Sequence, residues 1–273
     1  MLGLGNSMTG GAALKAAFAP ASLGSLDIHY DFSTLTGSDD DAVASFANAG
    51  AGGSDYNLSN ATASQQPQLS TDEMNLNSLH FDGNDRMQMA NAYLTTDKTF
   101  TFFCVFTSDD LAADTFFAGS DAGNDQIGTF NTINVTTRFN ADAGANHNSA
   151  LYIKTSTTTG DEYDPDGDGS FNNSDITTTA FTFSASTTHV LVITRDASNT
   201  VKIFNEDQNL IGAGTSKTNG QADTNFDVQW IGSFSSGSSS AQGTIGEIGL
   251  YNKTLSDSEA QTLAGYLATK WNA

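Results

Sequence analysis

Apolar and polar residues alternate in short segments along most of the chain, which is the pattern of half-buried β-strands. The first such segment places Leu26, Ile28 and Tyr30 between polar neighbours. The segment 99–107 is apolar on both faces, as a central strand of a sandwich is. Further strands are predicted at 79–81, 87–89, 116–117, 126–130, 133–139, 150–154, 189–194, 200–205, 229–234 and 244–251. Gly, Asn, Asp and Ser separate these segments, and this spacing indicates a sandwich or barrel.

The pattern changes to a helical one only near the C-terminus. Ser256 and Glu259 fit a capping box. The apolar residues that follow recur at helical spacing: Ala260, Leu263, Ala264, Leu267 and Trp271. We therefore predict an all-β fold over residues 25–273, a two-sheet antiparallel jelly-roll sandwich on which a short C-terminal helix docks.

Residues 1–24 are small, rich in Gly and Ala, and nearly uncharged. They fit either a flexible terminus or an arm that packs against another subunit, and we predict the arm. A signal peptide is not expected, because the segment has no basic start and Lys15 interrupts its apolar part. A membrane span is not expected either, since no apolar run approaches about 18 residues.

Composition restricts the partners. The 18 Phe residues can build a packed core, and the single cysteine, Cys104, lies in an apolar strand where a buried thiol is expected. The formal net charge is −21, with 10 Lys and Arg against 31 Asp and Glu. The three arginines, Arg86, Arg138 and Arg195, are far apart in sequence. Nucleic acid and anionic membranes need clustered cations, so neither is an expected partner.

One acidic segment, near 161–176, has the spacing of a twelve-residue calcium loop. Gly169 stands where such a loop turns sharply. Calcium needs six to eight oxygen ligands, and alternate residues supply them when the chain curls. The predicted ligands are Asp164, Asp166, Asp168, the Ser170 carbonyl, Asn172 and Asp175. The alternative is an acidic, solvated turn.

No catalytic arrangement is evident. Glu247 lacks the second carboxylate that glycoside hydrolysis requires, so a surface or hydrogen-bonded carboxylate is expected there. The four histidines show no metal spacing, and we predict that the protein is not an enzyme. Loose candidates for sugar contacts are Arg138, Asn140, His147 and Tyr152.

The ordered set of segments resembles the laminin-G-like, concanavalin A-like jelly-roll domains. The segments that carry the resemblance are Leu79 to Asp85, Thr99 to Phe103, His189 to Ile193, Val201 to Phe204, Trp230 to Gly232, Gly243 to Asn252, Leu255 to Glu259 and Tyr266 to Trp271. This resemblance implies the fold and not one function. The start, Leu2 to Ser7, is similar to that of lectin-like structural proteins of marine bacteriophages.

Two functions follow as hypotheses. The first is a non-enzymatic bacteriophage structural protein on the virion surface, such as a capsid decoration, fibre or tail component. It would contact other virion proteins or its own copies through residues 1–24 and could hold a host-surface glycan. The second is a carbohydrate-binding module of a bacterial surface or secreted protein. These two hypotheses are most simply distinguished by finding where the protein occurs.

Overall fold

The structure, a computed structural model, describes residues 18–95, 99–109, 115–118, 126–131, 134–139, 149–154, 177–178, 184–198, 200–215, 226–233 and 241–273. The strands in chain order are β1 (Leu26–Asp31), β2 (Ser45–Phe46), β3 (Leu58–Ser59), β4 (Gln68–Ser70), β5 (Ser78–Asp82), β6 (Met87–Thr95), β7 (Phe100–Ser108), β8 (Thr115–Ala118), β9 (Gln126–Asn131), β10 (Asn134–Phe139), β11 (Ser149–Lys154), β12 (Thr177–Thr178), β13 (His189–Arg195), β14 (Thr200–Asn205), β15 (Leu210–Thr215), β16 (Phe226–Ile231) and β17 (Gln242–Tyr251). The single α-helix of the described residues, α1, spans Asp257–Trp271.

These strands form two antiparallel sheets, which confirms the predicted fold class. The first sheet runs in the order β12-β15-β14-β13-β7-β17-β5-β4, and β1 also pairs with β17. The second sheet runs in the order β11-β10-β9-β8-β16-β6-β3-β2. Strands that are distant in sequence are neighbours in both sheets, so the chain passes repeatedly between them, as in a jelly roll.

The main core fills the space between the two sheets. Phe102 and Cys104 of the first sheet share one apolar cluster with Met87, Val228 and Ile231 of the second. All five are fully buried, and burying each large apolar side chain contributes roughly 1.5–3 kcal/mol. The expected buried thiol is confirmed, and burial raises the pKa of Cys104 well above its ordinary value.

Helix α1 covers the outer face of the first sheet. Leu263, Leu267 and Trp271 pack there against sheet residues that include Phe103 and Val192. The predicted capping box is present: the Glu259 N–H donates to Ser256 Oγ, and the Ser256 N–H donates to Glu259 Oε2. The apolar stripe and the cap together explain why this segment is helical.

The segment before β1 joins the same layer. The ring of Phe18 lies 5.2 Å from that of Tyr266 on α1. The Tyr251 hydroxyl donates to the Pro20 carbonyl, and Lys253 Nζ donates to the Leu23 carbonyl. Residues 18–24 of the predicted arm therefore pack on their own domain. Residues 1–17 lie outside the described residues, and the arm's contact with a partner stays a prediction.

Two regions differ in detail from the sequence prediction. The sequence of the polar stretch 37–72 predicts a loop with one short strand near Tyr56, yet the stretch contains β2, β3 and β4. Each has only two or three residues, too few to show an alternating pattern. Strand β16 ends at Ile231 and not at residue 234, because Gly232 turns the chain with φ of 87°. A Cβ at Gly232 would lie 2.3 Å from the Phe81 ring, so glycine is required there.

Candidate functional site

The outer face of the second sheet is the broad face left open by the described elements. Helix α1 packs on the first sheet, and the described residues place no α-helix on the second. A row of directly paired residues crosses this face from β3 to β11. The row consists of Ser59, Gln88, Trp230, Ala118, Gln126, Arg138 and Ala150. Direct partners in antiparallel strands share a face, so the five positions from Ser59 to Gln126 lie on one side of the sheet. The register between β9 and β10 shifts between Thr136 and Arg138, so the pairing does not assign Arg138 or Ala150 to that side.

The burial of neighbouring residues shows which side this is. Met87 and Ile231 stand next to Gln88 and Trp230 in their strands, pair with each other, and are fully buried in the core. Successive residues of a strand point to opposite faces. The row therefore lies on the outer face, and both Gln88 and Trp230 are partly exposed.

Trp230 is the aromatic centre of this row. The guanidinium of Arg86 lies over its ring, 5.1 Å from the centroid. Gln65 fixes Arg86, because its Oε1 accepts a hydrogen bond of 3.2 Å from Arg86 Nη2. The buried Nε1 of Trp230 has no hydrogen-bond partner within the described part of the chain. An unsatisfied buried donor is uncommon, and a ligand or water oxygen that reached it would be stabilised.

The turn that precedes Arg86 fixes where β6 begins. Asp85 is 3% exposed, and its Oδ2 accepts a hydrogen bond of 3.1 Å from the Asp82 N–H. Burial raises the pKa of Asp85 to about 6, and the nearby charge of Asp82 adds to the rise. Nearby, His80 of β5 lies 3.0 Å from the Glu73 carboxylate, and the hydrogen bond that its ring donates to Glu73 raises the pKa of His80. This corner is a structural turn that holds Arg86 against the face.

Two of the four predicted sugar-contact residues, Arg138 and Tyr152, lie on the paired strands β10 and β11. The ladder between these strands is regular, so positions 138 and 152 share a face with each other, and their contact with a sugar stays a prediction. The other two, Asn140 and His147, lie outside the described residues.

The predicted calcium ligands, Asp164, Asp166, Asp168, Ser170, Asn172 and Asp175, also lie outside the described residues. Calcium binding there stays a prediction. Within the described residues, no three His, Cys, Asp or Glu side chains are grouped to hold a metal ion. No helix in that part of the chain has the length and apolar character to cross a membrane.

A second polar cluster lies beneath the C-terminal end of α1. Glu247 is fully buried, and its Oε1 lies 2.8 Å from His29 Nε2. Its Oε2 accepts from Lys270 Nζ at 2.7 Å and from Trp271 Nε1 at 2.9 Å. The Lys270 ammonium also lies 2.7 Å from Asp31.

This cluster ties the helix to the sheet. Burial alone would lower the pKa of Lys270, but the negative charges of Glu247 and Asp31 outweigh burial and raise it. The expectation of a hydrogen-bonded carboxylate at Glu247 agrees with these contacts. Both of its oxygens are engaged and buried, which leaves no access for a substrate.

Sequence analysis did not single out Trp230. In a regular strand, Val228 and Trp230 would share a face, and Val228 is a core residue. The register between β16 and β6 shifts between these two residues, which moves Trp230 to the outer face. The sequence carries no sign of this shift. A tryptophan next to the polar Gln229 could have suggested an exposed aromatic side chain.

Comparisons with known proteins reach only the fold. No family model matches the chain, and no curated protein matches it. The binding domain of Paraclostridial Mosquitocidal Protein 1 aligns with a TM-score of 0.51 and 13% identity, over 88% of this chain and 52% of that one. The sialidase of Trypanosoma rangeli, in complex with 2,3-difluorosialic acid, aligns with a TM-score of 0.50 and 14% identity, over 90% of this chain and 33% of that one.

A third solved structure is domain 4 of AbnA, a GH43 extracellular arabinanase from Geobacillus stearothermophilus, in complex with arabinotriose. It aligns with a TM-score of 0.49 and 12% identity, over 88% of this chain and 98% of that one. The chain thus spans about half of the mosquitocidal binding domain and a third of the sialidase. At such low identity, the likenesses to the mosquitocidal binding domain and the sialidase show a shared β-sandwich fold and no more.

Proposed function

We propose that the protein is a non-enzymatic carbohydrate-binding module, and that it binds glycan on the outer face of the second sheet. The observation that carries the proposal is the position of Trp230. It stands at the middle of an open sheet face, in a row otherwise made of small and polar residues. A broad open face of this kind accommodates an extended ligand.

The chemistry of the row fits a sugar. An aromatic ring offers an apolar surface for the C–H groups of a sugar ring. The side-chain amides of Gln88 and Gln126 both donate and accept hydrogen bonds, as sugar hydroxyls require. Arg86 lies over the Trp230 ring and fixes its orientation, so little side-chain entropy is lost when a ligand contacts the exposed part of the ring.

The comparisons support the same kind of function. One neighbour is named a binding domain, and the other is a sialidase that holds a sialic acid derivative. The enzymatic activity of the sialidase is not part of the proposal, because the chain covers a third of it. The engaged and buried state of Glu247 also favours binding without catalysis.

A glycan array followed by calorimetry on the best ligand tests the proposal. We expect Trp230→Ala to abolish detectable binding while the protein stays folded by circular dichroism. The control is Leu210→Ala, which removes an exposed apolar side chain of the first sheet, 40% accessible. Unchanged glycan binding in Trp230→Ala, or a folded protein that binds no glycan on the array, would overturn the proposal.

A second candidate function is a structural role on the virion surface of a bacteriophage. Both candidate functions place the protein outside the cell. The observation that favours it is the resemblance of Leu2 to Ser7 to the start of phage structural proteins. Both functions are compatible, because a virion protein can hold a host glycan. Electron microscopy of the native assembly tests it, and a free monomer in the producing culture, with no particle-bound copies, would exclude it.

A further inference from the structure

A groove opens at the side of the sandwich, where both sheets end. It has a volume of about 380 Å³ and lies between β4, at one end of the first sheet, and β2, at one end of the second. Its apolar lining comes from Leu35, Val43 and Leu69, which belong to the main core or pack against it. Asp41 also lines the groove. The groove therefore offers an apolar surface with a carboxylate beside it.

Backbone hydrogen bonds fix one wall of the groove. The Asp40 N–H donates to the Leu69 carbonyl at 2.9 Å, and the Leu69 N–H donates to the Asp41 carbonyl at 2.8 Å. Two residues on, the Val43 N–H donates to the Pro67 carbonyl at 2.8 Å. This wall is preformed, so little of the binding free energy is lost in ordering it.

The same wall is acidic. The side chains of residues 39–41, three consecutive aspartates, are all exposed. Residues 32–85 contain no Lys or Arg. The cations of the adjoining elements are engaged elsewhere, because Arg86 lies over Trp230 and the Lys270 ammonium is bound by two carboxylates beneath α1. A segment that carries a cation is therefore complementary to this wall.

The N-terminal arm has the complementary composition. Residues 1–26 contain no Asp or Glu. Lys15 is the only Lys or Arg that precedes Arg86 in the sequence. It stands in the run 12–17, whose other members are alanines and Leu14. A small apolar run with one cation matches an apolar groove with carboxylates at its wall.

The arm of the same chain starts on the other face of the first sheet. Phe18 packs on Tyr266 in the layer formed by α1, whereas the groove borders the core between the two sheets. Three residues span at most about 11 Å, so Lys15 of the same chain stays close to the α1 layer. The groove is therefore left for the arm of another copy.

We propose that the groove binds residues 12–17 of a neighbouring copy, with Leu14 against the apolar lining and Lys15 beside Asp41. The arm and the groove are different surfaces, so the contact is head-to-tail and joins copies into rings or filaments. This inference goes beyond carbohydrate binding and does not depend on it, because Trp230 lies on another face.

Sedimentation velocity of the full chain over a range of concentrations tests the contact. We expect the native protein to associate reversibly, and Lys15→Asp and Asp41→Lys each to weaken association about tenfold, since each brings like charges together. The controls Lys202→Asp and Asp207→Lys make the same charge changes on β14 and in the turn after it, and should associate like the native protein. A native protein that stays monomeric, or association that neither arm nor groove variant weakens, would overturn the inference.

Mixing the two variants distinguishes a contact between copies from one within a chain. Lys15→Asp keeps an intact groove and Asp41→Lys keeps an intact arm, so association should return when they are mixed. A contact within one chain cannot recover in this way, and an absence of recovery would exclude the proposed contact. A peptide of residues 8–17 should compete with association of the native protein, and the same peptide with Lys15→Asp should not. This competition needs no folded variant, and equal effects of the two peptides would also count against the contact.

Discussion

The guanidinium carbon of Arg86 lies over the ring of Trp230, 5.1 Å from its centroid, on the open face of the second sheet. Arg86 is itself fixed from the other side by Gln65. Arg86 therefore shields the ring in the free protein and also sets its orientation. Both effects can be measured without any ligand.

Replacing Arg86 should expose the ring of Trp230. In Arg86→Ala, we expect red-shifted tryptophan fluorescence and stronger quenching by acrylamide, together with a loss of about 0.5–1 kcal/mol in the free energy of unfolding. The other tryptophan, Trp271, is 1% exposed, so the change reports on Trp230. Lys202→Ala removes a cation far from both rings and is the control. Quenching that matches this control would contradict the stacked arrangement.

Removing the buried carboxylate of Glu247 should destabilise the whole domain. Glu247→Ala removes the buried partner of the Trp271 N–H and of His29, and it leaves Asp31 as the remaining partner of the Lys270 ammonium. Breaking a buried ion pair in this way costs about 3–5 kcal/mol, which urea unfolding can measure.

The matched control for Glu247→Ala is Asp257→Asn at the start of α1. This substitution breaks an exposed ion pair between Asp257 and Lys202 of β14. Exposed pairs contribute about 1 kcal/mol or less. A loss in Glu247→Ala no larger than the loss in Asp257→Asn would show that the buried cluster does not hold α1 to the sheet.

Asp85 should make stability depend on pH. Its pKa in the folded protein is about 6, above the ordinary value, so folding favours the protonated form. The resulting stability is fully present below about pH 4 and is lost as pH rises through 6, by about 2 kcal/mol. Thermal unfolding between pH 4 and 7 should show this loss in the native protein, and Asp85→Asn should reduce it. An equal slope in Asp85→Asn would contradict the assignment, and Asp72→Asn, at an exposed carboxylate, is the control.

Calcium should stabilise the protein through the predicted loop. At a free concentration 100 times the dissociation constant, a ligand that binds only the folded state adds about 2.7 kcal/mol. We expect calcium to raise the thermal unfolding temperature, a chelator to reverse the rise, and Asp166→Ala to remove it. Asp207→Ala, at an exposed turn outside the loop, should respond to calcium like the native protein. No response to calcium in the native protein would exclude the site.

The strands and the helix could largely be predicted because their signals are local. β7 is a continuous apolar run, and α1 combines a capping box with an apolar stripe. The strands β2, β3 and β4 could not be predicted, since two or three residues are too few to show an alternating pattern. Strand pairing, and therefore which residues share a face, is a property of the tertiary structure.

The residues of the candidate site also depend on strand pairing, which the sequence does not reveal. Arg138 and Tyr152 were predicted as loose sugar contacts from residue type, and the ladder places both on one face. Trp230 is predicted only as part of the strand 229–234, and regular alternation from the core residue Val228 would place it in the core. One register shift against β6 reverses that assignment, and only the pairing of the two strands reveals it.

The packing of Phe18 on Tyr266 has a consequence for how the domain is presented. The described chain enters and leaves the sandwich on the layer formed by α1, behind the first sheet. A scaffold attached through residues before Phe18 would hold the domain on the side of α1. Trp230, on the opposite side of the sandwich, would then face outward. Many copies on one support could then engage a single long polymer together, and weak individual contacts would add up to firm adhesion.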